Sequence, residues 1–436
     1  MFGVYSNALK VKDIRRKLFY ILLVLLIFRV GSQIPLPGID RDLLTEFMFG
    51  GGDGIIGLIL GGEMGTIFAM GIGPYITASI IMQLLTVAIP KLEQLKKEGE
   101  EGRKKINQYT RILAVAMAIM QAAGSVFSWR VAFIHNNIFV YVVAALTMIA
   151  GTMFIMWMSE LLTEKAIGNG ASFIIFANIL AALPMGIMTM YYASIGGVWN
   201  AVIVVIVVIL FVLMVGFAVL VQDGQRKIPV QYSKKMVGRQ TYGGQSSFIP
   251  VKVNIAGVMS LIFAMSILGF PQQIAMFFPQ PEAGADPSWL LRVVEFLNMT
   301  TWYPVGPYDN PWFTFPFGAI IYVFLIFCFT FFYTSFAVNP VEMAENLKKN
   351  GGFIPGIRPG KPTSDYISRT VNRLSWVGAV FYAVIALIPI LIEWFFGMAV
   401  GWGGTTLLIV VGVALELVKQ LESQLLMRNY KGFLNT

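Results

Sequence analysis

The chain has 436 residues, of which 57% are hydrophobic and only 13% are charged, and its formal net charge is +9. A soluble domain is usually about one-quarter charged, so this apolar excess indicates a surface that faces lipid. The single cysteine, Cys328, excludes an internal disulfide framework and a multi-cysteine metal site, and the single histidine, His135, leaves little scope for histidine chemistry.

Ten apolar runs are predicted to cross the membrane as helices, since a bilayer core needs about 20 helical residues. In chain order, spans 1 to 10 are Leu18–Ile34, Ile67–Ile89, Ile112–Trp129, Ile138–Ser159, Ala171–Tyr192, Val198–Val221, Ile255–Phe278, Trp312–Val338, Leu374–Ile392 and Trp402–Leu415. Span 1 follows basic residues as a signal peptide does, but it lacks a small-residue cleavage site and is predicted to be retained. Continuous apolar runs exclude outer-membrane barrel strands, which alternate in hydrophobicity.

The positive charges predict the orientation of these spans. The termini and connections on one side carry 28 Lys and Arg residues, and those on the other side carry 3. The basic side is expected to be cytoplasmic, and an even number of spans places both termini there. Two long basic cytoplasmic loops, Gln222–Asn254 and Pro340–Asn372, have the character of binding sites for anionic lipid or for a large partner that carries RNA.

Recognisable catalytic motifs are missing from the sequence, which contains neither H-E-x-x-H nor G-x-S-x-G. The stretch Gly356–Lys361 is one residue too short for a phosphate-binding loop, so we expect no enzyme activity. Apart from Arg29, the ten predicted spans contain no Asp, Glu, Lys, Arg or His. Ion-coupled transporters need such groups, which favours a passive protein channel over the alternative, a secondary transporter of a small solute.

The segment before span 2 is unusually rich in glycine. Eight glycines occur between Gly50 and Gly65, with Ile55, Ile56, Leu58, Ile59 and Leu60 among them. Irregular backbone is tolerated at membrane depth only where protein or water surrounds it. The segment is therefore either a movable re-entrant plug or an outer loop that precedes a closely packed helix.

Seven sequence stretches, spread from the first span to the last, resemble the SecY family, whose members are channel subunits of the protein-conducting translocon. They are Arg29–Asp40, Gly73–Thr86, Lys97–Arg111, Ile167–Ser172, Asn339–Lys349, Phe353–Gly360 and Gly403–Ile409. The resemblance implies an all-α polytopic membrane protein with ten transmembrane helices in two inverted-repeat halves, 1–194 and 195–436. These halves would enclose an hourglass pore with a plug and a lateral gate, through which unfolded secretory polypeptides cross and membrane helices leave sideways into lipid.

The same resemblance assigns roles to individual residues. The pore ring, a collar of aliphatic side chains that closes the channel, would comprise Ile72, Ile76, Ala171, Ile175, Ile262 and Ile409, with Ala171 small where the family more often has Ile. The plug, about 55–66, would include Ile55, Ile56, Leu58, Ile59, Leu60, Gly61 and Gly62. The lateral gate would lie between spans 2 and 3 on one side and spans 7 and 8 on the other. It would include Thr77, Gln83, Ser266 and Phe270. Arg239 and Arg358 would dock a partner.

The family also implies a set of partners and a location. The chain would assemble with the SecE and SecG subunits, would be driven by the SecA ATPase or the ribosome, and would contact signal peptides, unfolded preproteins and membrane lipid. It would reside in the bacterial cytoplasmic membrane, with no cofactor and no metal.

Overall fold

The structure is a computed structural model, and it describes residues 11–40, 43–44, 65–166, 168–195, 201–232, 235–237, 240–242, 246–278, 288–299, 301–305, 313–396 and 404–433. Helices dominate these residues. They are α1 (Lys12–Gly31), α2 (Gly73–Ala88), α3 (Pro90–Lys97), α4 (Glu100–Ser128), α5 (Ile138–Lys165), α6 (Gly170–Ile195), α7 (Ala201–Asp223), α8 (Met259–Ala275), α9 (Trp289–Leu297), α10 (Phe317–Ala337), α11 (Pro340–Lys349), α12 (Lys361–Phe396) and α13 (Gly404–Phe433).

Every predicted span coincides with a helix. In the part of the chain that the structure describes, seven helices are long and apolar enough to cross a membrane alone, and α2 with α3 forms an eighth candidate that is bent by 99°. The other two predicted spans coincide with α1, whose first turns carry several charges, and with α8, which has 17 residues. The predicted all-α polytopic membrane fold is confirmed.

Several helices extend far beyond the predicted spans. Helix α4 begins at Glu100 rather than Ile112, α12 begins at Lys361 rather than Leu374, and α13 continues to Phe433 rather than ending at Leu415. Hydropathy marks only the part of a helix that lies in lipid, whereas an established helix adds one hydrogen bond for each further residue. The added turns carry the charged residues that the predicted spans excluded.

Helix α2 is shorter than its predicted span. Its 16 residues give a length of about 24 Å, less than the roughly 30 Å of a bilayer core. Before it, residues 65–72 form consecutive turns rather than helix. Backbone N–H groups in these turns are satisfied, for example Ala69 by the Thr66 carbonyl and Gly71 by the Phe68 carbonyl. Such satisfied, irregular backbone is the kind that membrane depth tolerates inside protein.

Among the described residues, the connections between the spans contain seven strands: β1 (Gln225–Tyr232), β2 (Lys235–Val237), β3 (Gln240–Tyr242), β4 (Ser246–Lys252), β5 (Tyr303–Val305), β6 (Phe313–Phe315) and β7 (Gly352–Phe353). Strands β2 with β3 and β5 with β6 form two small antiparallel pairs. Strand β1 pairs antiparallel with β4, with Ile228 opposite Ile249, and also with β7, with Gln231 opposite Phe353. The resulting docking sheet, in the order β4–β1–β7, joins the two long basic loops.

The chain divides into two compact units. Unit 1 comprises Met1–Met188, Gly269–Val294 and Glu416–Thr436, and unit 2 comprises Thr189–Leu268 and Glu295–Leu415. In unit 1, a core cluster contains Leu36, Ile39, Leu44, Ala122, Val126, Ala132, Phe133, Ala144 and Met148. In unit 2, a cluster under the docking sheet contains Ile228, Val230, Val251, Leu347, Ile354, Ile367 and Val371. The division into sequence halves at residue 194 stays a prediction.

Candidate functional site

The two ends of the glycine-rich segment meet at one place in unit 1. On one side, Ile39 and Leu44 belong to a buried cluster, and on the other, Ala69 and Met70 pack against the same cluster. The backbones also join, since the Leu36 N–H donates to the Gly65 carbonyl at 2.8 Å. The described residues at the two ends of the segment therefore lie together, and we call this place its closed base. The predicted plug residues Ile55, Ile56, Leu58, Ile59, Leu60, Gly61 and Gly62 lie outside the described residues.

The Phe68 ring holds the turns that follow the glycine-rich segment and precede α2. It lies parallel between two other rings, with centroids 5.8 Å from Phe28 on α1 and 6.0 Å from Phe154 on α5. Helix α5 can approach this closely because residue 151 is glycine, and a Cβ there would overlap the Ile67 carbonyl. The turn that leads into α2 is thus clamped between two membrane helices.

Helix α2 starts at the first predicted members of the pore ring. Gly71 has a φ of +54°, which glycine adopts without strain, and it turns the chain into the helix at Ile72. Ile72 is 4% exposed, whereas Ile76, one turn later, is half-buried. The Ile76 N–H donates to the Ile72 carbonyl, so both side chains lie on one face of the first turn.

Polar side chains on α2 bond mainly within the helix itself. Thr77 Oγ1 donates to the Gly73 carbonyl at 3.2 Å, and Thr86 Oγ1 donates to the Gln83 carbonyl at 2.7 Å. Gln83 Nε2 reaches Ser79 Oγ at 3.4 Å. These bonds satisfy the polar groups without a partner helix, so the polar residues do not require α2 to be packed on every side.

Helix α6 carries the other two pore-ring residues of unit 1. Ala171 and Ile175 are half-buried, and with Asn178 they share one helix face, at spacings of four and three residues. Asn178 lies beside the start of α2, because a Cβ at Gly71 would be 3.8 Å from its Nδ2. Its Oδ1 is buried without a hydrogen-bond partner among the described residues. This approach places the start of α2 beside the part of α6 that carries Ile175 and Asn178.

Unit 2 holds Ile262 on α8 and Ile409 on α13. Ile262 is half-buried while its neighbours Leu261 and Phe263 are fully buried, and Ile409 is 7% exposed. Two hydrogen bonds hold α13 at residues just before Ile409. Gln222 Nε2 donates to the Leu408 carbonyl at 3.3 Å, and the hydroxyls of Tyr322 and Thr405 are 3.0 Å apart.

A polar contact joins α4 to the second part of α8 inside unit 1. Gln121 Nε2 donates to Gln273 Oε1 at 2.9 Å. Close approach is possible because residue 124 is glycine, and a Cβ there would lie 3.3 Å from the Phe277 ring. The sequence analysis did not predict this pair, because the two residues are 152 positions apart. A glutamine in an apolar helix such as Gln121 does indicate that the helix has a polar partner, but it does not identify that partner.

The predicted gate residues occupy two helices. Thr77 and Gln83 lie on α2. Ser266 and Phe270 lie on α8, with Ser266 half-buried and Phe270 exposed. Gln121 and Gln273 therefore add a direct contact between α4 and α8, the helices of spans 3 and 7.

The docking sheet presents one of the two predicted docking arginines. Arg358 is exposed in the turn between β7 and α12, where its carbonyl accepts the Thr363 hydroxyl at 2.9 Å. Just before it, the Ile357 N–H donates to the carbonyl of the buried Ile354. The buried cluster thus holds a turn whose arginine side chain is exposed. Arg239 lies outside the described residues, between β2 and β3.

The other basic connection, between α2 and α4, contains an exposed ion pair. Lys97 Nζ lies 2.6 Å from Glu93 Oε1, and this hydrogen bond lowers the pKa of the Glu93 carboxyl. Burial lowers the pKa of the Lys96 ammonium. Arg111 and Glu160 pair at 2.7 Å and link α4 to α5.

Known proteins resemble this chain along its whole length. The SecY family model matches residues 66–418. The protein translocase subunit SecY of Halalkalibacterium halodurans is 44% identical over 448 residues, and that of Streptomyces galbus is 43% identical over 456 residues. In both comparisons, all of this chain and all of the relative are covered.

Solved channel structures share the fold. One is a SecY structure from work on the plug domain, described as stabilising the closed state of the translocation channel and maintaining a membrane seal. The two structures superpose with a TM-score of 0.64 and 19% sequence identity. The match covers 93% of this chain and 91% of that SecY chain. Another is Sec61 in the canine ribosome–channel complex from the endoplasmic reticulum, with a TM-score of 0.59, 18% identity and the same coverage.

Proposed function

The chain belongs to the SecY family of protein-conducting channels, and on that premise we propose that it is the central channel of a bacterial Sec translocon. It passes unfolded secretory polypeptides across the cytoplasmic membrane and releases hydrophobic segments sideways into lipid. Both termini are cytoplasmic, in keeping with 28 basic residues on that side against 3 on the other. The pore itself is passive, and a partner supplies the energy.

The observation that carries this proposal is the closed base of the glycine-rich segment. The described residues on either side of this segment, Leu44 before it and Ala69 after it, pack in one buried cluster, and a helix too short to cross the membrane alone follows. In our proposal the apolar part of the segment, about 55–66, plugs the channel in the resting state. The SecY structure described with a plug that maintains a membrane seal supports this assignment.

The pore ring provides the second barrier in the proposed channel. Its members are Ile72, Ile76, Ala171, Ile175, Ile262 and Ile409. Aliphatic side chains offer no hydrogen bonds to a hydrated ion, so a constriction that they line can dewet and block ions. They also offer no fixed charge that would hold a passing polypeptide. Ala171 leaves this collar with less bulk on α6 than isoleucine would give.

The proposed lateral gate has α2 and α4 on one side and α8 and α10 on the other. It is lined by Thr77, Gln83, Ser266 and Phe270. In this proposal the Gln121–Gln273 hydrogen bond stabilises the closed gate, as a latch between its two sides. Hydrogen bonds between membrane helices average about 0.6 kcal/mol, so such a latch opens at little cost. A hydrophobic signal helix that enters the seam gains lipid contact and offsets that cost.

The docking sheet, with Arg358 exposed beside it, receives the partner that drives transport, and Arg239, which lies between β2 and β3 in the sequence, is the second proposed docking residue. Sec61 in the canine complex is bound to a ribosome, which supports a ribosome as one partner. The SecA ATPase is the other proposed partner, and SecE and SecG are the proposed companion subunits. A basic surface suits both partners, because RNA and acidic protein surfaces attract positive charge.

Reconstitution tests this function. Purified channel with its co-purifying subunits, placed in liposomes with SecA and ATP, should import an unfolded preprotein into a protease-protected space. The alternative, a secondary transporter of a small solute, lacks support from the relatives. It would be favoured if these liposomes accumulated a solute along an ion gradient and protected no preprotein.

A further inference from the structure

Helix α9 has an unusual composition for a short helix in a loop. Seven of its nine residues are apolar, and Arg292 and Glu295 are its two charged residues. None of the nine is buried. A helix of this composition in a soluble protein would bury an apolar face, so the surroundings of α9 need a separate explanation.

The residues of α9 fall into three strips around its axis. One strip is half-buried and consists of Leu290, Leu291, Val294 and Leu297. The next strip is exposed and apolar, with Trp289 72%, Val293 43% and Phe296 41% exposed, at spacings of four and three residues. The third strip holds the exposed charges, Arg292 and Glu295. Going round the helix at 100° per residue, the apolar strip lies between the half-buried strip and the charged strip.

Contacts at the end of α9 fix its depth. The Phe296 ring stacks on Phe317, the first residue of α10, with centroids 5.0 Å apart. The carbonyl oxygens of Leu297 and Asn298 sit against Gly318, where a Cβ would overlap them. Because α10 spans the membrane, its first turn lies near one bilayer surface. The end of α9 must therefore lie at that same level.

Aromatic residues near the ends of the neighbouring spans agree with this depth. Tyr303 lies 6.0 Å from Phe296, and Trp302 stacks on Trp394, near the end of α12, at 5.0 Å. Tryptophan and tyrosine concentrate where membrane and water meet. The exposed apolar strip of α9 therefore lies beside an aromatic belt.

We propose that α9 lies in the membrane interface opposite the docking sheet, with Trp289, Val293 and Phe296 inserted among the lipids. Its half-buried strip then packs on protein, its apolar strip enters lipid, and Arg292 and Glu295 face water. One positive and one negative charge cancel, so insertion depends on apolar area rather than on anionic lipid. This surface is separate from the basic cytoplasmic loops, and it does not depend on what the channel transports.

Spin labels on the full chain test the proposal. On a Cys328→Ser background, which removes the native cysteine, labels are placed through Trp289→Cys, Val293→Cys and Phe296→Cys, with Glu295→Cys as the matched control. The chain is reconstituted in liposomes of zwitterionic lipid. The three test positions should show an oxygen-to-nickel accessibility ratio several-fold above that of the control, because oxygen concentrates in lipid and the nickel complex in water.

Two results would overturn it. Equal nickel accessibility at all four positions would place the apolar strip in water. Protection of the three test positions from both reagents would show that protein, such as a second copy or a companion subunit, covers the strip. As a second measurement, brominated lipid should quench the emission of the parent chain more than that of Trp289→Phe, and equal quenching would also count against insertion.

Discussion

Gln121 on α4 and Gln273 on α8 are joined by a side-chain hydrogen bond of 2.9 Å. Gly124, one turn further along α4, lets the Phe277 ring approach. In the proposed channel these two helices form opposite sides of the lateral gate. The bond is a direct polar contact across the proposed gate.

Replacing Gln273 by leucine should weaken the closed gate. The substitution leaves the Gln121 amide without its partner, and the average value for such bonds, about 0.6 kcal/mol, corresponds to roughly a threefold shift toward the open state. Single-channel recording would show it as a higher open probability. Gln272→Leu is the control, because Gln272 is the neighbouring glutamine and is exposed. An equal effect of both substitutions would assign the change to added hydrophobicity instead.

Replacing Phe68 by alanine should loosen the base of the glycine-rich segment. Phe68 is 6% exposed between Phe28 and Phe154, and truncation of a buried Phe typically costs about 3–5 kcal/mol. We expect a higher ion leak through the resting channel, measured as dissipation of an ion gradient in liposomes. Phe19→Ala on α1 removes the same ring from a position that is 65% exposed and should leave the leak unchanged. A silent Phe68→Ala channel of normal abundance would contradict this role for the clamp.

Reversing the charge of Arg358 should weaken the docking of the driving partner. The side chain is exposed on a turn held by the buried cluster beneath the docking sheet, so Arg358→Glu should reduce partner affinity without changing the melting temperature. Lys349→Glu makes the same charge change at another exposed position in the same loop. Co-sedimentation with SecA or ribosomes would compare the two. Equal losses would mean that overall positive charge, rather than this arginine, governs docking.

Enlarging Ala171 to isoleucine should tighten the pore ring. The residue is half-buried on the face of α6 that also carries Ile175, and the larger side chain adds apolar bulk where dewetting blocks ions. We expect a lower residual ion leak and slower passage of bulky polypeptides. Ala177→Ile adds the same bulk to a different face of α6 and should have no such effect. A leak that rises with Ala171→Ile would show that the position packs against another helix instead of lining the pore.

Hydropathy and charge predicted the membrane part of the fold because each span is a continuous local signal. All ten predicted runs coincide with helices, from α1 to α13. Helix ends were predicted poorly where a helix leaves lipid, because charged turns such as those at the start of α4 continue the helix without any hydropathy signal. The short length of α2 was not predicted, because the turns before it are as apolar as a helix in lipid and hydropathy does not distinguish the two.

The docking sheet and the glutamine pair could not be predicted, because both join residues far apart in sequence. Strand β7 has only two residues, and it pairs with β1 more than one hundred positions earlier. Such a strand has no alternating pattern of its own. The predicted pore-ring, plug, gate and docking residues came from resemblance rather than from pattern, because a single membrane isoleucine looks like any other.

The central claim is that the glycine-rich segment seals a channel that is otherwise open to a polypeptide. Ion conductance of the reconstituted chain, with and without residues 55–66, tests it most directly in a planar bilayer. We predict that the intact channel stays closed at rest and that the deletion variant shows frequent, long-lived openings. A deletion variant that inserts at normal abundance and is as silent as the intact channel would contradict the account.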